Sequence, residues 1–286
     1  LKARRSLASR YTTMILLLSP TKTLDESRMA SPPKCVTQPR FAQGEAPMKS
    51  VLENLQKLSK PKLKSLLGVS DSLATLNHKR YSAFDDQPAK PCMWMYKGPA
   101  FQALSPQGFS EEAVEYAQGH VRILSGLYGL LRPCDEIKPY RIDMGKKLAI
   151  GDCKNLYEFW KPRIASVVSK DLVSPQNKPR IVVSCASNEY LKALDTSLLD
   201  DDIEVVQCAF QEPSGRSASV YAKRARGMMV RFAIEKQADS IEHLKEFQGY
   251  PDLETYKFSE SKSTANTLVF VRQSCSGSSK PKPKPK

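Results

Sequence analysis

Two polar constellations in this chain have residue types and spacing that suit chemistry on an anion. The first is the stretch LLGVSDSLATLNHKRY, Leu66 to Tyr81. Leu67, Gly68, Val69 and Ser70 resemble the apolar–Gly–apolar–Gly turn of a helix-hairpin-helix, in which successive backbone N–H groups meet a phosphate at a helix N-terminus. Ser70 stands where the second glycine belongs, and Asp71 follows with a charge that repels phosphate. Lys62, Lys64, Lys79 and Arg80 flank the turn and can offset that acid. The plain alternative is that Gly68 ends one helix and Ser70 caps the next.

The second constellation falls at expected strand ends: Ser19 and Lys22, Lys97, then Asn188 and Glu189. Arg132, Tyr140, Arg141, Lys223 and Arg226 come from irregular or helical segments. Polar loops at strand C-termini are where α/β folds build ligand sites. Several cations around one carboxylate suit a phosphorylated ligand or a DNA backbone. If the chain is an enzyme, Glu189 is the candidate general base, with Lys22 and Arg141 stabilising charge. The competing account is ordinary: Glu189 sits favourably in a first helical turn and the cations form solvated pairs. Lys223 and Arg226 are three apart in AKRARG and so share a helix face, which reads either as a solvated basic face or as a stripe tracking a nucleic-acid backbone.

Metal chemistry finds little support. His78, His120 and His243 are far apart, and the cysteines at 35, 92, 134, 153, 185, 208 and 275 form no C-x-x-C pair. Small apolar thiols in a reducing compartment are the expectation, with no metal and no cofactor.

Those residues need a scaffold. MILLL at 14–18 reads as a buried strand opening into a polar loop, and residues 27–47 as irregular. Helices are expected over 48–58, 59–67 and from Ser70 onward, the last with Leu73, Leu76 and Tyr81 on one face. CMWMYKG at 92–98 reads as a strand, and 110–131 as one helix frayed at its glycines. A polar connection follows over 132–145, then a helix at 155–172, strand–loop–helix at 179–194, a strand at 202–210, a helix at 219–237 and a closing strand at 267–273. Alternation without a repeat predicts one mixed α/β (α+β) domain over about 14–273, with the helix-hairpin-helix at about 48–82.

The 286 residues carry a net charge of +14, which invites a polyanionic partner. Residues 1–13 hold four cations and no acid, and the KPKPKPK end holds four more, so removing those eight from the fourteen leaves six for the body. The tail over 274–286 is expected to be disordered. Residues 1–13 have the composition of a transit segment, although Met14 can equally be an original start. No apolar run approaches the roughly 20 residues of a membrane span.

MILLLSPTKTLD, TQPRF, YKGPAFQAL, RILSGLYGLLRPCDEIKPYRIDMG, KNLYEFW, ASNEYLKAL and YAKRARGMMVRF, in that order, closely resemble the bacterial YaaA peroxide-stress family across 14–272. The resemblance implies a cytosolic protein that binds double-stranded DNA, partly through the helix-hairpin-helix, and that protects DNA from iron-driven damage under hydrogen peroxide. The basic ends depart from the family pattern. They suggest a eukaryotic or organellar-type member, with mitochondrion or plastid as the alternative compartment if residues 1–13 direct import. The rival function is an enzyme acting on a phosphorylated or nucleotide-like small molecule.

Overall fold

The computed structural model describes residues 13–44, 46–173 and 179–273; the leader through residue 12 and the lysine–proline tail lie outside them. Met14–Leu18 forms β1, every residue buried. Helices α1 (Pro47–Gln56), α2 (Lys60–Leu67) and α3 (Asp71–Ser82) follow. Strand β2 (Lys90–Pro91) leads into α4 (Cys92–Met95), α5 (Pro99–Leu104) and α6 (Glu111–His120). Strands β3 (Val121–Ser125), β4 (Gly129–Leu131) and β5 (Glu136–Ile137) precede α7 (Leu156–Asp171). The chain closes with β6 (Arg180–Ser184), α8 (Asn188–Leu191), β7 (Ile203–Gln211), α9 (Ser219–Lys236), α10 (Ile241–Lys245), β8 (Tyr256–Phe258) and β9 (Thr267–Arg272).

This is the expected mixed α/β single domain. Seven strands form one sheet in the order β4-β3-β1-β6-β7-β9-β8. The inner five are parallel, while β4 and β8 pair antiparallel at the edges. Strand β1 lies near the centre, in register with β3 through Leu16–Val121 and with β6 through Leu16–Val183. Parallel strands covered on both faces must be apolar throughout, and MILLL satisfies this. From β1 the chain passes first to β3 on one side and later to β6 on the other. A crevice therefore opens where the two loops diverge, beyond the carboxyl ends of β1 and β6.

Four expected segments differ. Residues 92–95 form a helical turn, because Cys92 N and Met93 N donate to Asp135 O and Pro133 O before Tyr96 N closes on Cys92 O. The segment 110–131 is helix only to His120; Val121–Ser125 is a strand buried between β1 and β4. On α3, Leu73 and Leu76 are exposed, while Ala74, Asn77 and Tyr81 face inward. Tyr81 fixes that orientation: its hydroxyl donates to Arg141 O at 2.6 Å and accepts from Arg141 N at 3.2 Å. Residues 132–145, expected as a polar connection, are mostly buried, with Tyr140 bonded to Tyr96 and Ser125 at 2.6 and 2.7 Å.

Among the described residues no helix is long and apolar enough to cross a membrane.

Candidate functional site

The loops leaving β1 and β6 are tied at their start. Ser187 N donates to Ser19 Oγ at 2.8 Å, and the Ser19 hydroxyl reaches Ser187 Oγ at 3.3 Å. Cys185 N donates to Leu17 O at 2.9 Å, extending the strand pairing to the crevice floor. From above, α9 crosses α5 so closely that a Cβ on Gly227 would lie 1.8 Å from Ala100 O. That crossing brings Lys223 and Arg226, one helical turn apart, over the loops. The crevice holds a cavity of about 380 Å³, open to solvent on one side and lined by Ser19, Lys22, Asp143, Cys185, Ser187, Glu189, Tyr190, Lys223 and Arg226 among others.

Its cations are held differently. Lys22 Nζ pairs with Asp143 Oδ2 at 2.9 Å, and Tyr190 donates to Asp143 Oδ1 at 3.4 Å. Burial and the neighbouring Asp143 charge push the Tyr190 hydroxyl far above its ordinary value, so it remains a donor. Lys223 is exposed and has no acidic partner among the described residues. Arg226 is more deeply set: its Nε is buried without a hydrogen-bond partner, and burial lowers its pKa. A recessed guanidinium without a carboxylate is costly, and the cost is offset when an anion arrives. Glu189 lies exposed on the rim, its Oε1 accepting from Gly145 N at 3.3 Å.

The crevice thus gathers Ser19, Lys22, Glu189, Lys223 and Arg226 from the expected set. Asn188 is next door, its Oδ1 accepting from Gln207 Nε2 at 3.0 Å. Lys97 faces Asp25 at 3.7 Å, and Arg132 binds the fully buried Asp135 at 3.0 Å. Arg141 contributes its backbone to Tyr81 and does not line the cavity. Neither Asp143 nor Tyr190 stands out in the sequence. Both fall within the family-like motifs, but no local spacing links Asp143 to Lys22.

At the other constellation, Gly68 is left-handed at φ 65° and ends α2, with its N–H on Lys64 O at 2.9 Å. Ser70 caps α3 through Leu73 N at 3.4 Å, and Lys64 pairs with Asp71 at 2.8 Å. Arg80 is mostly buried and paired with Glu26. Lys62 and Lys79 are exposed. Lys146 Nζ stands over the turn, 3.5 Å from where a Gly68 Cβ would be. Since the preceding residue, Gly145, contacts Glu189, one short segment joins this turn to the crevice rim.

Residues 14–262 match the family described as peroxide stress protein YaaA. The chain belongs to the YaaA family. A UPF0246 protein of Delftia acidovorans is 39% identical over 267 residues, covering 91% of this chain and 99% of that relative. UPF0246 proteins of Burkholderia mallei and Burkholderia pseudomallei are 39% identical over 269 residues, with the same coverage. The YaaA match spans β1 through β8, so it contains every residue of the crevice. Among the described residues no group of three or more His, Cys, Asp or Glu is arranged to hold a metal ion.

Proposed function

We propose that the protein binds duplex DNA through its phosphates during peroxide stress and shields it from iron-driven oxidation. The observation that carries this reading is Arg226, recessed in the crevice with its Nε unpartnered beside the unpaired Lys223. A phosphate oxygen supplies the missing acceptor. Lys62, Lys79, Lys146 and Lys22 extend the cationic surface from the α2–α3 turn to the crevice. At the turn the backbone N–H groups of Gly68 and Val69 are already committed to Lys64 O, so lysine side chains carry the contact there. Lys97 and Asn188 lie outside the cavity, while Arg132 is taken up by Asp135 and Arg141 meets Tyr81 through its backbone. The site of action is the cytosol, or an organelle if residues 1–13 direct import.

A second reading is favoured by the volume of the cavity. A phosphorylated or nucleotide-like small molecule fits about 380 Å³, with Arg226 on its phosphate and Glu189 as base.

Fluorescence anisotropy with a labelled duplex across a salt series separates the two. Log affinity should fall linearly with log salt, with a slope of about 0.9 per phosphate contact. Arg226→Met with Lys223→Ala should weaken binding and flatten that slope by about 1 to 2. A double variant that binds duplex like the wild type rejects the DNA reading. Nucleoside triphosphate binding that requires Arg226, without duplex binding, favours the second, and Glu189→Gln should then abolish turnover while sparing affinity.

A further inference from the structure

Away from the crevice, two thiols meet beside a second cavity. Asp135, fully buried, accepts from Thr37 Oγ1 at 2.6 Å, Arg132 N at 2.8 Å and the Arg132 guanidinium at 3.0 Å. Thr37 is bridged to Asp135 in a parallel sense, with Thr37 N on Cys134 O at 3.0 Å and Glu136 N on Thr37 O at 2.8 Å. These bonds lay the Cys35–Thr37 backbone along the segment that carries Cys134, and the Cys35 and Cys134 side chains lie within interaction distance of each other. Both are free. Cys134 is fully buried, whereas Cys35 is half-buried and lines a cavity of about 430 Å³. Met29, Trp94, Phe109 and Val114 give that cavity apolar walls.

The electrostatics match this placement. The Cys134 thiol donates toward Cys35 and holds the Cys35 thiol below its ordinary value, against burial and the charge of Glu115, with a small contribution from Arg132 in the same direction. Cys134 is pushed far up by the same contact and by burial, so it stays protonated until its partner is oxidised.

We propose that Cys35 and Cys134 are a hydroperoxide-reactive dithiol that closes to a reversible disulfide. The Cys35 thiolate attacks the distal oxygen of ROOH. The O–O bond breaks, the leaving alkoxide takes a proton to become ROH, and Cys35 becomes a sulfenic acid. The Cys134 sulfur then attacks the Cys35 sulfur, its proton leaves with the hydroxide as water, and the S–S bond forms. Two electrons pass from the two thiols to the peroxide, and a thiol reductant returns them. An accessible thiol of low pKa beside a resolving thiol is the arrangement that this chemistry requires.

Cys185 and Cys208 provide a comparison within the same chain. They also lie within interaction distance of each other, but both are buried and Cys208 is pushed well up by that contact and by burial. That pair should stay reduced while Cys35 reacts, as should the half-buried Cys153, which has no neighbouring thiol to resolve it among the described residues.

The test treats the reduced full chain with hydrogen peroxide or with cumene hydroperoxide, then alkylates, digests without reductant and maps the peptides by mass spectrometry. A linked Cys35–Cys134 peptide that dithiothreitol reverses is the expected product. Faster linkage by the cumene reagent would add that the apolar cavity receives the oxidant. Cys35→Ser should abolish the link, and Cys134→Ser should leave Cys35 as a sulfenic acid that dimedone labels. If Cys134→Ser fails to fold, a wild-type time course in which dimedone labelling of Cys35 precedes linkage serves in its place. No linked peptide with either oxidant, or earlier oxidation of Cys185–Cys208, overturns the proposal.

Discussion

Asp25, in the loop that leaves β1, accepts from Ser27 Oγ at 2.6 Å and Ser27 N at 3.1 Å, with Lys90 and Lys97 beyond. The Ser27 bonds above all, then the two ammonium charges, outweigh burial and hold its carboxyl at about 2, down from 3.8. A depressed carboxyl contributes stability above its unfolded value and loses it as pH falls through the folded one. Wild-type protein should therefore lose this increment between pH 3.8 and about 2. Asp25→Asn should be less stable near neutrality and show a shallower acid limb, read from urea midpoints against pH. An unchanged acid limb would mean that Asp25 contributes nothing. Lys97 illustrates how far the sequence can be read at this scale. Its position after an apolar run marks it as unusual, but its nearest acid is Asp25, brought near by the antiparallel Leu24–Tyr96 bridge rather than by local spacing. Asp143 is invisible for the same reason, since only the fold places it against Lys22.

The crossing of α5 and α9 is the element-scale feature on which the crevice depends. Gly227 lets the Ala100 carbonyl approach the α9 backbone, and Lys223 and Arg226 hang over the loops as a consequence. A methyl group there has no space, so the helices must separate. Gly227→Ala should cost about 1 to 3 kcal/mol in urea unfolding, as overpacking typically does. It should also weaken phosphate-ligand binding through displaced side chains that are not themselves mutated. Full affinity in a destabilised Gly227→Ala protein would show that the crossing does not set the site. Elements are legible where periodicity and length agree, as in α7, α9 and β1. The buried Val121–Ser125 run reads as helix because continuous apolar residues fit either element, and its identity is decided by β1 beside it. On α3 the exposed Leu73 and Leu76 mislead for a related reason, since the Tyr81–Arg141 bonds and not apolar spacing select the inward face.

Over the whole molecule, the topology and the charge point to different surfaces. Strand order places a ligand crevice beyond β1 and β6, lined by a few cations, while eight of the fourteen net charges belong to residues 1–13 and the lysine–proline end. Terminal lysines bind any polyanion, so affinity of the full chain alone does not identify the crevice as the DNA site. Salt slopes do, because each cation that displaces a phosphate counterion adds about 0.9. Trimming to residues 14–273 should lower affinity and flatten the slope by about 0.9 for each terminal cation that engages a phosphate, leaving a slope of several units. Adding Arg226→Met and Lys223→Ala to the trimmed chain should remove about 1 to 2 more. The same pair of substitutions in the full chain should subtract an equal increment, since separate contacts add. Anisotropy titrations of the four proteins across the salt series measure all of these differences. If the trimmed chain fails to bind duplex at any salt, the terminal lysines account for the affinity, and the crevice is left to a small phosphorylated ligand.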